Sequence, residues 1–316
     1  MTQINYSDND ILRYCRQIVM KAMDKVRTEM RGSTRLSMKQ SIENIWTEKS
    51  ELNQTKAIDK ETEDLMLASL CKKFKKIKEV KSFIVFSEEL GIKSFPEGTK
   101  DSDADLVIFI DPVDGTEFAE NLQGGWCLMA VYDIKNNEVI AAVAGDIFLD
   151  RLYWASKSSD AEGLDFITHS WFKLDGGPNP RNDLSSARVN FLTTKVSRYL
   201  SVAKQKALLD AIEKNDGRIN LAWGSNMIIQ VAAGYADVAV EFTKGFATYD
   251  VLPGLFLAQK AGLTVLDLKG NPIENKLDIN EIFSRYRQDP KNPSRIKFVV
   301  SKSPELAHQV IELINL

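Results

Sequence analysis

The chain has 316 residues, 44% of them hydrophobic and 27% charged, which suits an ordinary globular protein able to bury one large domain or two packed halves. A net charge of −3 gives no whole-protein positive field, so nucleic acid and membrane are excluded as expected partners. Cys15, Cys71 and Cys127 are isolated and odd in number, and only His169 and His308 could offer imidazole, so neither a disulfide framework nor a structural zinc site is expected.

In chain order, residues 8–30 place Ile11, Cys15, Ile18, Val19, Ala22, Met23, Val26 and Met30 at three- and four-residue spacings. That period predicts an amphipathic helix ended by Gly32. Residues 31–57 are polar and weakly patterned and read as a loop or hairpin carrying Trp46, Lys49 and Thr55. A second helix is expected from about Asp59, placed to cap it, with Met66, Leu70 and Phe74 inside. Its basic end, Lys72 to Lys81, complements the helix dipole and faces water. Residues 82–86 form a strand that delivers Ser87-Glu88-Glu89 to its end.

The next stretch, Asp105 to Thr116, is the most informative. Leu106 to Ile110 is an unbroken apolar run and reads as a strand buried on both faces. Asp111 ends it, Pro112 withholds an N–H, and Gly115 can turn sharply. Asp111 and Asp114 then stand three residues apart on a stiff turn. Two ionised acids held so close need a cation, a shared proton or a basic partner. With the Val113 carbonyl between them, the all-oxygen donor set suits a hard ion such as Mg²⁺. A plain β-turn with Asx hydrogen bonds is the alternative.

Trp126 to Tyr132 and Val139 to Ala144 read as strands, and Gly145 to Ala155 continues as a third. The first half is thus expected to be a mainly antiparallel sheet covered by the two early helices. The pattern is lost from Ser156 to Ala187, and the halves are divided there, as 1–165 and 166–316. The second half alternates: strand Arg188–Leu192, helix Leu200–Asn215, strand Arg218–Trp223, a helix capped by Ser225, strand Asp237–Phe242, a helix opened by Asp250 and closed by Gly262, and strand Thr264–Asp267. Such alternation implies an α/β layer on a parallel or mixed sheet. The N-terminus lacks a signal pattern and no apolar run reaches the ~18 residues that span a bilayer, so cytoplasmic residence is expected.

Taken in order, Ser87-Glu88-Glu89, Asp111-Pro-Val-Asp114-Gly115-Thr116, and Tyr249-Asp250 opening a helix that ends Ala261-Gly262 resemble the inositol monophosphatase superfamily of magnesium-dependent, lithium-sensitive sugar-phosphate phosphatases. The resemblance implies a layered α/β/α/β/α sandwich of the inositol monophosphatase and fructose-1,6-bisphosphatase type. It assigns a first Mg²⁺ to Glu88, Asp111 and the Val113 carbonyl, and a second to Asp111, Asp114 and Asp250. Gly115 and Thr116 match the turn that holds phosphate, with Thr116 and Glu88 orienting the attacking water. Asp59 resembles an acid near a third, loosely held Mg²⁺, with a spacing from Thr55 one residue longer than the family's. Glu241 matches a position that contacts a substrate hydroxyl, and Ser225 is placed on the same substrate and phosphate side. A homodimer is the expected assembly.

Phosphate-ester hydrolysis needs a nucleophile better than bulk water and compensation for phosphoryl charge; two Mg²⁺ supply both, and four carboxylates balance them. The expected function is a magnesium-dependent phosphomonoesterase acting on a small polyol phosphate. Alternatives within the class are a fructose-1,6-bisphosphatase, for which Lys244 and the Arg181 and Arg188 region could hold a second phosphate, and a 3'(2'),5'-bisphosphate nucleotidase. An inactive regulatory protein on the same scaffold is the alternative from another class. Against the family pattern, Glu117-Phe118 follows the turn directly, Tyr249 replaces a Trp, Leu263 replaces a Gly, two extra residues separate Glu241 from Asp250, and no Gly-rich segment is recognisable near 156–175. These departures spare the metal ligands and fall on the substrate side. Kinase and dehydrogenase readings are excluded by the absence of a Walker or Gly-x-Gly-x-x-Gly motif.

Overall fold

The computed structural model describes residues 7–32, 57–120, 123–192 and 195–315. The segment read as a loop or hairpin with Trp46, Lys49 and Thr55 lies outside the described residues. The chain divides into two units, the first formed by Met1–Ser158, Gly163–Trp171 and Asn275–Ser294, the second by Ser159–Glu162, Phe172–Glu274 and Arg295–Leu316.

In the first unit, α1 (Asp8–Gly32) and α2 (Ala57–Phe74) carry the periodic apolar faces expected of them. Ile11, Ile18, Val19, Ala22, Met23, Val26, Met66, Leu70 and Phe74 are all fully buried. They pack on β1 (Phe83–Ser87), β2 (Gly91–Phe95), β3 (Leu106–Asp114), β4 (Trp126–Asp133), β5 (Glu138–Asp146) and β6 (Arg151–Ser156), with the short helix α3 (Thr116–Glu120) after β3. The sheet runs β2-β1-β3-β4-β5-β6, then β7 (Glu162–Asp165) and β8 (Ser170–Lys173) at its edge. β1 and β3 pair in parallel; β3 to β6 form an antiparallel meander. The apolar run of β3 is buried along its whole length, as its composition requires.

The return segment 275–294 adds α8 (Ile279–Gln288) to this unit. Phe283 and Tyr286 meet Phe86 edge-on at 5.6 and 5.0 Å, and Arg287 grips Asp101 bidentately at 2.6 and 2.9 Å.

The second unit holds β9 (Arg188–Leu192), α4 (Val196–Ala203), α5 (Lys206–Lys214), β10 (Arg218–Ala222), α6 (Gly224–Ala232), β11 (Val238–Ala247), α7 (Thr248–Lys260), β12 (Thr264–Leu266), β13 (Arg295–Ser301) and α9 (Pro304–Leu313). Its sheet order is β10-β9-β11-β13-β12, with β10, β9 and β11 parallel and β13 antiparallel to both its neighbours. Val189, Phe191, Val238, Val240, Val299, Leu306 and Val310 form its core.

The two-sheet α/β architecture is the one expected, and the structure corrects it in detail. The stretch Ser156–Ala187 is not patternless loop, since it holds β7 and β8. The helix read over Leu200–Asn215 is two helices, broken at Lys204 and Gln205. Asp59 and Asp250 lie inside the first turns of their helices rather than at the N-cap position, Asp250 reaching back from the third helical residue to the N-cap Ala247 N–H, and Trp223, not Ser225, is the N-cap of α6.

Candidate active site

The parallel pairing of β1 and β3 sets Ser87 opposite Ile110, so the next residue of each strand, Glu88 and Asp111, emerges side by side. A carboxylate oxygen of Glu88 lies within 4.8 Å of one from Asp111. Asp111 is buried, and its Oδ1 accepts from the Val113 N–H at 3.1 Å. The β3–β4 register slips between Asp111 and Asp114, which lets Pro112 sit within the strand and points the chain into the turn at Gly115, whose φ is +83°. Asp114 is buried as well. The helix that follows, α3, spans five residues, so any phosphate binding at Gly115 rests on the turn itself.

Asp59 reaches this turn from α2. It is buried, and Thr116 Oγ1 lies 3.0 Å from its Oδ1 and 2.9 Å from the Val113 carbonyl. The single hydroxyl proton of Thr116 is therefore directed at an acceptor, and its lone pairs are left to face a third partner. The first unit thus brings Glu88, Asp111, Val113, Gly115, Thr116 and Asp59 around one turn.

Sequence reasoning missed Glu63. It sits one helical turn after Asp59, is fully buried, and its Oε1 accepts from the Ser87 hydroxyl and from the Leu90 N–H at 3.0 Å. One carboxyl thereby braces both ends of the turn that carries Glu88. Burial first, and the charge of Glu89 second among the raising causes, push its pKa to about 7, opposed by the hydrogen bond from Ser87. The signal was present: Glu63, Met66 and Leu70 share one face at helical spacing.

In the second unit, Asp250 lies in the first turn of α7, where its Oδ2 accepts from the Ala247 N–H at 3.2 Å. Ser225 donates to the Asp250 carbonyl at 2.7 Å and accepts from the Gly254 N–H at 3.1 Å, so its hydroxyl fastens α6 to α7. A Cβ on Gly254 would stand 2.9 Å from that hydroxyl oxygen. Glu241 is buried, and its Oε1 accepts from the Thr243 hydroxyl at 2.6 Å and from the Gly245 N–H at 2.9 Å. It closes the irregular stretch between Glu241 and Phe246 on β11.

Residues 8–314 match the sequence profile of the inositol monophosphatase family. Among curated proteins, none matches by sequence. Among solved structures, the chain is similar to the extragenic suppressor protein suhB of Bartonella henselae (TM-score 0.67, 16% identity, 96% of this chain and 97% of that one). It is similar also to the Thermotoga maritima IMPase (TM-score 0.65, 18% identity, 96% of each chain). A third is inositol monophosphatase-II of Staphylococcus aureus (TM-score 0.63, 15% identity, 96% of this chain and 92% of that one). At these identities the structures speak to fold alone.

Proposed function

The chain belongs to the inositol monophosphatase family, and from that premise we propose that it is a magnesium-dependent phosphomonoesterase that hydrolyses a small polyol or sugar phosphate. The observation that carries this reading is the Thr116 hydroxyl held between Asp59 and the Val113 carbonyl on the turn that bears Asp111.

The donor set supports the metal. Glu88, Asp111 and the Val113 carbonyl are all oxygen donors, and two ligands of one hard ion stand at most about 4 to 5 Å apart, twice the metal–oxygen distance. The closeness of the Glu88 and Asp111 oxygens is of that size. We assign the first Mg²⁺ to these groups, a second to Asp111, Asp114 and Asp250, and a third, loosely held, to the neighbourhood of Asp59. When bound, the ions supply Lewis-acid charge for the phosphoryl oxygens and acidify water.

The chain's own residues do the rest. Thr116, with its proton committed to Asp59 or Val113, accepts a hydrogen bond from an incoming water and so fixes that water's orientation. Asp59 takes up proton density through Thr116, while Glu88 accepts the water's other hydrogen. Gly115 presents backbone N–H to a phosphate oxygen, Glu241 lies on the substrate hydroxyl side, and Ser225 holds the helix of Asp250 in place. No described helix is long and apolar enough to cross a membrane; cytoplasmic residence and a homodimer complete the reading.

Released phosphate measured across a panel of phosphate esters, with Mg²⁺ and with chelator, tests it. Turnover that requires Mg²⁺ and falls in Thr116→Ala supports the proposal. An enzyme that binds Mg²⁺ and turns over no ester is instead a regulatory protein on this scaffold.

A further inference from the structure

The helix pair of the first unit is charged differently at its two ends. Lys25 of α1 reaches Glu61 at 2.6 Å and Gln17 of α1 accepts from Lys73, so α1 and α2 run antiparallel and the start of α1 lies beside the end of α2. The acids at the start of α2 are matched, Glu61 by Lys25 and Asp64 by Lys60. Its end carries Lys72 and Lys73, and Lys75, Lys76, Lys78 and Lys81 follow before β1. The dipole of α2 acts within its last turn, which Lys72 and Lys73 occupy; the other four lie beyond it, so the dipole does not account for them.

α1 adds Arg13 and Lys21 to this end: burial, then the fields of Lys76, Lys21, Lys72 and Arg13, push the pKa of Lys73 down. Lys21, Lys72, Lys75, Lys76, Lys78 and Lys81 are all exposed, and none has an ion-pair partner among the described residues. The acids nearby offset little. Asp10 is taken by Arg13 at 2.8 Å, and Asp105 Oδ2 accepts from the backbone N–H of Lys81 and Ser82 at 2.7 and 2.9 Å, which leaves Glu79. Apolar side chains border the cations. Arg16, beside Gln17, lies 3.8 Å from the ring centroid of Trp154 and 5.4 Å from that of Trp171, and the two indoles meet edge-on at 5.0 Å. Trp171 is 60% exposed, and Ile167, on the turn between β7 and β8, is 71% exposed. Contact therefore runs from Lys73 through Gln17 and Arg16 to Trp171.

We propose that this face docks on an anionic lipid bilayer, with Lys72 to Lys81, Arg13 and Lys21 as its charged part and Trp171 and Ile167 as its apolar part. The net charge of −3 averages over the whole chain and does not describe one face of it. Lysines are compact, hydrated point charges, suited to the diffuse field of anionic headgroups, and binding there relieves their mutual repulsion. An exposed indole settles at the boundary between headgroups and acyl chains. Nucleic acid fits less well, because Arg16 lies over Trp171 where a base would stack. The face is separate from the turn of Thr116: Asp59 stands 13 residues before Lys72 on α2, about 20 Å along the axis.

Sedimentation of the full chain with vesicles tests it, using phosphatidylcholine alone or phosphatidylcholine and phosphatidylserine in equal parts. At low salt the wild type should pellet with the anionic vesicles and stay in solution with the neutral ones. Its partition should fall as the Debye length shortens from about 10 Å at about 0.1 M salt to about 3 Å at about 1 M. A variant combining Lys72→Gln, Lys75→Gln, Lys76→Gln and Lys78→Gln should partition about 10²-fold or more weakly, since each lysine near the surface is worth about fivefold. Its Tm should be no lower than that of the wild type, which shows that the fold is kept. Trp171→Ala should remove most of the binding that survives high salt. A wild type that stays off anionic vesicles at low salt, equal pelleting with both vesicle types, or a four-lysine variant that partitions like the wild type overturns the proposal. So does a wild type that avoids the vesicles and binds a single-stranded oligonucleotide through the same lysines, which would make nucleic acid the partner.

Discussion

Thr116 Oγ1 stands 3.0 Å from Asp59 Oδ1 across 57 residues of sequence, joining the turn after β3 to the first turn of α2. Asp59 and the Val113 carbonyl together hold the hydroxyl proton on their side, and so set the face that Thr116 offers to water. Removing the hydroxyl should therefore lower kcat by about 10²–10⁴-fold, the usual worth of positioned acid–base assistance, with KM and Mg²⁺ affinity little changed. Thr116→Ser should recover most of the loss, since it restores a donor to Asp59. Steady-state kinetics of both variants decide the matter; an unchanged kcat in Thr116→Ala refutes the role.

Asp111 is buried next to Glu88, and their oxygens lie within 4.8 Å. Mg²⁺ binding the folded chain should raise its stability by about 2.7 kcal/mol at a hundred times the dissociation constant. Asp111→Asn keeps the size and deletes the charge, so the rise in Tm between chelator and saturating Mg²⁺ should disappear. A variant that still gains the full Tm shift would show that the ion sits elsewhere.

The strand and turn of the site were legible because they are local. Leu106–Ile110 is apolar on both faces, and Asp111, Pro112 and Gly115 mark the end of the run; each signal needs only neighbours in sequence. Glu88 was legible for the same reason, as the residue after an apolar strand. The support for these residues was not, because it is made at long range: nothing local tells that Glu63 bonds Ser87 and Leu90, or that Asp59 meets Thr116. The short strand β8 escaped because an exposed edge strand lacks the alternation that burial imposes, all but one of its residues being exposed, and β7 escaped because its four residues are too few to show a period.

The cover of α1 on the first sheet has no slack at Gly145. A Cβ there would meet Met23 Cγ at 2.8 Å and Val19 Cγ1 at 2.9 Å, both fully buried side chains of α1. Gly145→Ala should cost about 1–3 kcal/mol by overpacking, which denaturant unfolding measures as a lower midpoint at constant m. Met23→Ala combined with it should return part of that loss, because the methionine is the nearest obstacle. Additive losses in the double variant would locate the strain elsewhere.

Glu63 gives the fold a pH dependence of known sign. Its pKa is raised from the ordinary 4.5 to about 7 in the folded chain, chiefly by burial. A group raised in this way favours the folded state fully below its unfolded value, and that contribution is lost as pH climbs through the folded value. The neutral acid can still accept from Ser87 and Leu90 through Oε1, while Oε2, buried without a partner among the described residues, has no donor to hold a negative charge. Glu63→Gln keeps the acceptor and cannot ionise. In chelator, the variant should gain on the wild type by about 3 kcal/mol between pH 5 and pH 8, an order-of-magnitude figure from the shift. Denaturant unfolding across that range reads the difference directly. A gap between the two proteins that stays flat with pH would mean that Glu63 is ionised throughout, with another charge near it.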